Sequence, residues 1–394
     1  MADKHTPYDA PWVANIRHRP DPNRVEQLPW MVTGSGPALA AAPPVGKTTN
    51  VRAPTAGPSP RSDGQEPSYY DVSPLKRPVW KWQIATYFFL GGLSAGAYLL
   101  ARLADRFGLR RHRKLAKRGT WLALATIAPC PLLLIDDLGD PKRFHHMLRV
   151  FKPASPMNLG TWMVTGYSGA VTAAAIREVL RDRHKAPEDQ PGALGKAAQA
   201  WLAAHDAAGI PLAIGVAGYT GVLLSCTANP LWCKNPWLGP MFSASALATG
   251  AEALSLALDL TTKDDECVDA QQVLTQVDTA AHAIEGTCAA GFQRFAAGKG
   301  AALRRGSVGK VHHFALGALA AAEVLKRLPV QGRLRKPLRM LSMATGLAAG
   351  FAMRWAQVYG GKEAAADPHT ARLVSRPDSR ANRSGGQLSM SAQR

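Results

Sequence analysis

Apolar runs long enough to cross a bilayer recur along the middle of this chain, and basic or aromatic flanks recur with them. The first runs from Gln83 to Ala101, nineteen residues without a charge, between Trp80-Lys81-Trp82 and Arg102. About 20 apolar residues span the hydrocarbon layer as a helix, and aromatic and basic residues anchor at its interfaces. Four more runs have the same character: Gly119–Ile135, Asn158–Ile176, a stretch within Ala207–Cys233, and Trp237–Leu258 with Glu252 inside it. Three further segments are helical but more polar: Val273–Ala297, Val311–Leu325 and Leu338–Val358, the last with Arg339 and Arg354 near its ends. The pattern predicts an all-α polytopic membrane bundle of about eight transmembrane helices over 79–358. Gly92 and Gly96, and Gly215, Gly218 and Gly221, are expected packing positions, because small residues let membrane helices approach closely.

The flanking segments read differently. Residues 1–78 and 359–394 are polar and rich in Pro, Gly, Ser and charge, which predicts disordered tails. The short apolar patches at Trp12-Val13 and Pro29-Trp30-Met31 are the only candidates there for docking on a partner. These tails explain a mean hydropathy of -0.11 in a membrane protein. The first 30 residues hold no apolar core of a signal peptide, so the first span is expected to serve as its own insertion signal.

Net charge is +19. Nucleic-acid binding would need a basic face interleaved with aromatics or a recognisable module, and neither appears. The Lys and Arg sit between the apolar runs instead: 19 in the loops after spans 1, 3, 5 and 7, against 9 after spans 2, 4 and 6. That asymmetry predicts an external N-terminus, with the loop Arg102–Arg118 carrying most of the signal. The five cysteines, Cys130, Cys226, Cys233, Cys267 and Cys288, form no C-x-x-C pair, so no Fe–S cluster or zinc site is expected in this chain. A b-type haem would need two facing histidines at depth; only His282 is deep, since His312 and His313 stand at a helix start, and no haem is expected.

Ionisable groups at membrane depth cost roughly 2.5–3.5 kcal/mol each on insertion scales, so each invites a functional reading. At the end of the second run stand Asp136, Asp137, Gly139, Asp140, Pro141, Lys142, Arg143 and Phe144, with His145 and His146. They suit a polar rim for protons and a quinone headgroup, or equally an interfacial loop held by caps and salt bridges. Tyr219 lies in the fourth run and could donate to a quinone carbonyl, though a buried tyrosine commonly bonds a helix backbone. Gln83 and Tyr87 are i and i+4 on one face of the first helix. Asp278, His282 and Glu285 are spaced i, i+4, i+7 and share one helix face, as a proton path with Glu252 would require. A carboxylate–histidine metal site has similar spacing, but a di-metal site needs a second such helix, and none is visible. The competing reading of Val273–Ala297 is an amphipathic helix outside the membrane.

Several stretches together resemble the NrfD family, the polysulfide reductase membrane-subunit type. They are Tyr87-Phe88-Phe89-Leu90-Gly91-Gly92, Asp137-Leu138-Gly139-Asp140-Pro141-Lys142-Arg143-Phe144, Ser155-Pro156-Met157-Asn158-Leu159-Gly160-Thr161-Trp162, Gly209-Ile210-Pro211 with Gly218-Tyr219-Thr220-Gly221, and Trp237-Leu238-Gly239-Pro240. The likeness is good over residues 75–260 and looser to 358. It implies an eight-helix, quinone-binding subunit of the inner (plasma) membrane without its own metal. Such a subunit anchors a ferredoxin-like Fe–S subunit, and through it a molybdopterin or multihaem catalytic subunit. Menaquinone or ubiquinone would be held by Tyr219 and the Gln83/Tyr87 face, with Asp137 bordering the pocket. Two rival readings are a secondary transporter, which would show inverted repeats and broken helices, and a structural membrane anchor without quinone chemistry.

Overall fold

The computed structural model describes residues 72–107, 113–183, 192–261, 268–329 and 332–375. Among them are ten α-helices and no strand. The helices are α1 (Trp82–Phe107), α2 (Arg113–Ile127), α3 (Cys130–Asp136), α4 (Pro156–Asp182), α5 (Ala193–Ser225), α6 (Leu238–Thr261), α7 (Val268–Phe295), α8 (Gly306–Arg327), α9 (Arg335–Ala366) and α10 (Pro368–Ser375). With α2 and α3 read as one segment across Pro129, eight long helical segments coincide with the eight expected spans. Four of them, Trp82–Arg106, Arg113–Asp136, Gly195–Ser225 and Leu238–Thr261, are long and apolar enough to cross a membrane. The segments α4, α7, α8 and α9 are long enough but more polar.

Successive long helices run up and down, so two ends can be told apart. The start of α1, the end of α3, the start of α4 and the end of α9 share one end, where Gln83 meets Asp136 and Lys362 meets Trp80. Arg113, Glu178, Asp259 and Arg339 lie at the other, where Arg113 bonds Glu178 and Arg339 bonds Asp259. The pair α1 and α6 is central: 78% of each apolar window is buried, against 28% for the window in α2–α3.

Glycines set that centre. A side chain at Gly96 would collide with the Ala246 carbonyl of α6, and one at Gly250 with the backbone of Gly96 and Ala97. In lipid there is little hydrophobic drive between helices, so such backbone contact is what holds the pair. Gly92 meets Ala246 from the turn above. The glycines of α5 divide between two neighbours: Gly215 faces Met163 of α4, while Gly218 and Gly221 face Ser243 and Leu238 of α6. Pro211 sits inside α5 without ending it. At the start of α4, Ser155 caps the helix by accepting from the Asn158 N–H, and Pro156 occupies the first turn, where its missing N–H costs nothing.

Two boundaries differ from the sequence reading. The expected C-terminal tail from 359 is helical to Ala366, and α10 follows to Ser375; only 376–394 of it lie outside the described residues. The physical reason is the connection between α5 and α6. Its Trp232 is fully buried against Gly361, donates Nε1–H to the Gln357 carbonyl (3.1 Å), and Asn229 donates to the Gly361 carbonyl (2.8 Å). Gly360-Gly361 looks like a helix stop in sequence but is the notch that seats an indole. Likewise the expected N-terminal tail is tied to the bundle at Ser73, which donates to the Ala365 carbonyl at 2.6 Å. The patches at Trp12-Val13 and Pro29-Trp30-Met31, and Cys267, lie outside the described residues. Cys226 and Cys233 are both free thiols.

Candidate functional site

The polar rim at the Gln83 end is assembled from three elements. Gln83 of α1 is 5% exposed and donates Nε2–H to Asp136 at 2.7 Å. Asp137 is the C-cap just after α3, accepts from the Lys81 backbone, and has Lys362 of α9 in its field. Burial holds the Asp137 carboxyl above the ordinary carboxylate range, against the Lys81 N–H and the Lys81 and Lys362 ammonium groups; the Asp136 charge adds to the rise. Lys362 is fixed by the Trp80 carbonyl at 2.6 Å. A groove of about 340 Å³ adjoins this rim, lined by Arg77, Trp80, Asn229 and Trp232 among others. Trp80 and Trp232 stack there at 5.6 Å. Down α9 from Lys362 runs a half-buried aromatic ladder, Tyr359, Trp355 and Phe351, ending on Phe89 of α1.

The other candidates of the rim fall out differently. Tyr87 is buried in the core beside Phe88. Tyr219 donates its hydroxyl to the Pro156 carbonyl at 2.5 Å, with its ring against Gly160. Its proton is therefore committed to a helix start, and what Tyr219 can offer a ligand is an acceptor, not a donor. Arg143 pairs with Asp140 at 3.0 Å on the exposed loop, as an interfacial salt bridge.

The second site lies among α6, α7, α8 and α9. Asp278, His282 and Glu285 are 1%, 7% and 4% exposed, and Glu252 of α6 is wholly buried opposite them. His282 Nδ1 lies 2.9 Å from Glu323 and 3.1 Å from Asp278, and His282 Nε2 lies 3.7 Å from Glu252. Lys326 contacts Asp278 and donates to Glu323 at 2.6 Å. Glu285 meets Ser245, whose hydroxyl also accepts from Arg354 at 2.6 Å. Arg354 lies over the Phe242 ring, 5.1 Å from its centroid. Glu252 is packed under Gly346 of α9, where a methyl group would strike its carboxylate, and neither of its oxygens has a hydrogen-bond partner. One ligand atom each from Glu252, Asp278 and His282 lies within 4.8 Å of the others.

Sequence reading missed Glu323 and Lys326 because they close a short, weak span and pass for loop charges. Arg354, expected near a helix end, is twelve residues from it and 1% exposed. The only available signal was spacing: Glu323 and Lys326 are i, i+3 and share a face. His312 stands two turns into α8 and is buried, while its neighbour His313 is exposed.

These features define a class: an α-helical integral membrane protein with a polar rim at one end and a buried charge cluster in its second half. Over residues 72–361 the chain matches the family model described as polysulphide reductase, NrfD, and it belongs to that family. It is 32% identical over 178 residues to the C component of the polysulfide reductase of Wolinella succinogenes, covering 44% of this sequence and 56% of that one. It is 29% identical over 204 residues to the C component of the selenate reductase of Mesobacillus selenatarsenatis (45% and 47%), and 26% identical over 193 residues to protein NrfD of Escherichia coli (46% and 59%). The chain spans about half the length of the curated relatives it matches.

Proposed function

We propose that this chain is the quinone-reacting membrane subunit of a respiratory oxidoreductase complex in the inner membrane, with its N-terminus outside. The observation that supports it best is the rim at the Gln83 end. A carboxyl held protonatable by burial, Asp137, stands beside Gln83 and Lys362, at the head of an aromatic ladder that suits a planar ring. Reduction of a quinone takes two electrons and two protons. The electrons would come from, or go to, a ferredoxin-like Fe–S partner and beyond it a molybdopterin or multihaem subunit. The protons would pass through groups such as Asp137. Menaquinone or ubiquinone is the cofactor, with Tyr87 as core packing behind the face and Tyr219 as an acceptor rather than a donor. The buried series Asp278, His282, Glu252 and Glu285 is the proposed proton route through the second half, opened toward the Arg113 end by Glu323 and Lys326.

The test is titration of the purified full chain with a menaquinone analogue, in wild type, Asp137→Asn and Tyr219→Phe. Saturable binding that weakens at least tenfold in Asp137→Asn and little in Tyr219→Phe supports this reading. A folded wild-type protein without saturable binding sinks it in favour of an anchor or transporter.

A further inference from the structure

We propose that the connection between α3 and α4, from Pro141 to Lys152, is an interfacial anchor that binds anionic phospholipid. It opens with a 3₁₀ helix, Pro141–Leu148, in which every side chain from Pro141 to His146 is exposed. Phe144, Val150 and Phe151 are exposed as well, and so is Met157 in the first turn of α4. Large apolar side chains left open so close together mark a surface that something covers. The course of the backbone says what covers it. Asn158, also in the first turn of α4, accepts from the Lys152 N–H at 2.7 Å and donates to the Met147 carbonyl at 2.8 Å. The connection is thus held beside the start of α4. Phe151 packs edge-on against Trp162, with 6.0 Å between ring centroids. Trp162 lies about 9 Å along the helix axis from Pro156, at 1.5 Å per residue. The segment therefore folds back along the side of a helix read as a membrane span, instead of rising from its end into water. A soluble partner meets the end of a bundle; the side of a span meets lipid.

Charge selects the lipid. Lys142, Arg143, Arg149 and Lys152 are all exposed, and from Asp140 to Asn158 the sequence holds a single carboxylate, Asp140, which pairs with Arg143 at 3.0 Å. Four cations against one carboxylate leave an excess of three positive charges. Apolar rings interleaved with Lys and Arg are the composition of a segment lying in the headgroup layer: the rings reach the acyl boundary, and the long basic side chains extend to the phosphates. Anionic headgroups attract such a segment, whereas zwitterionic ones lack the net charge to do so. Free phosphate would answer the cations but leave Phe144, Val150 and Phe151 in water. The anchor involves no redox chemistry and stands or falls apart from the quinone reading.

The test places the full-length protein in nanodiscs containing phosphatidylglycerol or phosphatidylcholine with a photoactivatable diazirine in the acyl chain, and maps the cross-links by mass spectrometry. Expected is labelling of the segment from Pro141 to Lys152 about fivefold or more stronger with phosphatidylglycerol, undiminished by excess inorganic phosphate. The triple variant Lys142→Gln/Arg149→Gln/Lys152→Gln should lose that preference, and Phe144→Ser/Phe151→Ser should lower labelling by both lipids. Should the variants fail to fold, the two lipids compared on the wild type decide. Equal labelling by both lipids, no labelling of the segment, or an unchanged preference in the folded triple variant overturns the proposal. So does a segment labelled in the isolated chain but shielded in a complex purified intact, which would make it the surface of a protein partner.

Discussion

The two halves of the bundle treat buried charge in opposite ways. In the first half, at the Arg113 end, Glu178 is wholly buried but meets Arg113 at 3.0 Å and Arg181 at 3.4 Å. Asp105 has Arg102, Arg113 and Arg181 around it, and Asp206 has Arg102 and Arg177. Three carboxylates face four guanidiniums, at the end of the bundle where water is near. In the second half, four carboxylates share two buried cations, Lys326 near the end of α8 and Arg354 within α9, and neither oxygen of Glu252 has a hydrogen-bond partner. Buried pairs add little stability of their own, but a lone buried charge is expensive. The first arrangement is a clasp that ties α1, α2, α4 and α5. The second leaves buried carboxylates short of hydrogen-bond partners, which makes it the candidate for the proposed proton route.

That contrast can be broken by substitution. The largest effect is expected at Lys326→Met, which strips the ammonium from Asp278 and leaves Glu323 with the exposed Arg327 guanidinium, and should cost about 3 kcal/mol, read as a lowered thermal midpoint in detergent. Arg113→Ala should cost less, about 2 kcal/mol, because Arg181 still faces Glu178; turnover per folded molecule should not change. Glu252→Gln should leave stability within about 0.5 kcal/mol of wild type or raise it, since a neutral amide of the same shape replaces a buried carboxyl that has no hydrogen-bond partner, while proton-coupled turnover falls more than tenfold. A large loss of stability in Glu252→Gln would mean the cluster is a clasp too. At the rim, Asp137 binds its proton more tightly folded than unfolded, so its contribution to stability is present at low pH and is lost as pH rises through its raised pKa. Asp137→Asn should flatten that part of the stability–pH curve, measured by denaturation across acid to neutral pH. The smallest effect belongs to Lys117→Ala: the Lys117–Asp182 contact is exposed, and no shift in thermal midpoint is expected.

Most of the fold was legible in the residues as they follow one another. Charge-free runs between basic flanks marked the helices because a bilayer leaves no other way to satisfy a backbone. Four spans satisfy that criterion by composition alone, and the glycines of α1 and α5 meet neighbouring helices as expected. The polar helices were harder. In α7 the i, i+4, i+7 spacing of Asp278, His282 and Glu285 put three groups on one face but could not say what they faced.

Local matters were settled along the sequence: which segments are helical, which are apolar enough for lipid, and which side chains share a face. These follow from period and composition, which residues close in sequence carry between them. Partners came only with the packed bundle. It brought Glu252, Glu323 and Lys326 to the α7 face across 26 to 48 residues of sequence. It took the Tyr219 proton to Pro156, paired Gln83 with Asp136, and extended α9 past Gly360-Gly361 because Trp232 packs there. Each of those outcomes depends on a side chain distant in sequence, whose arrival is fixed by helix packing and by no local pattern.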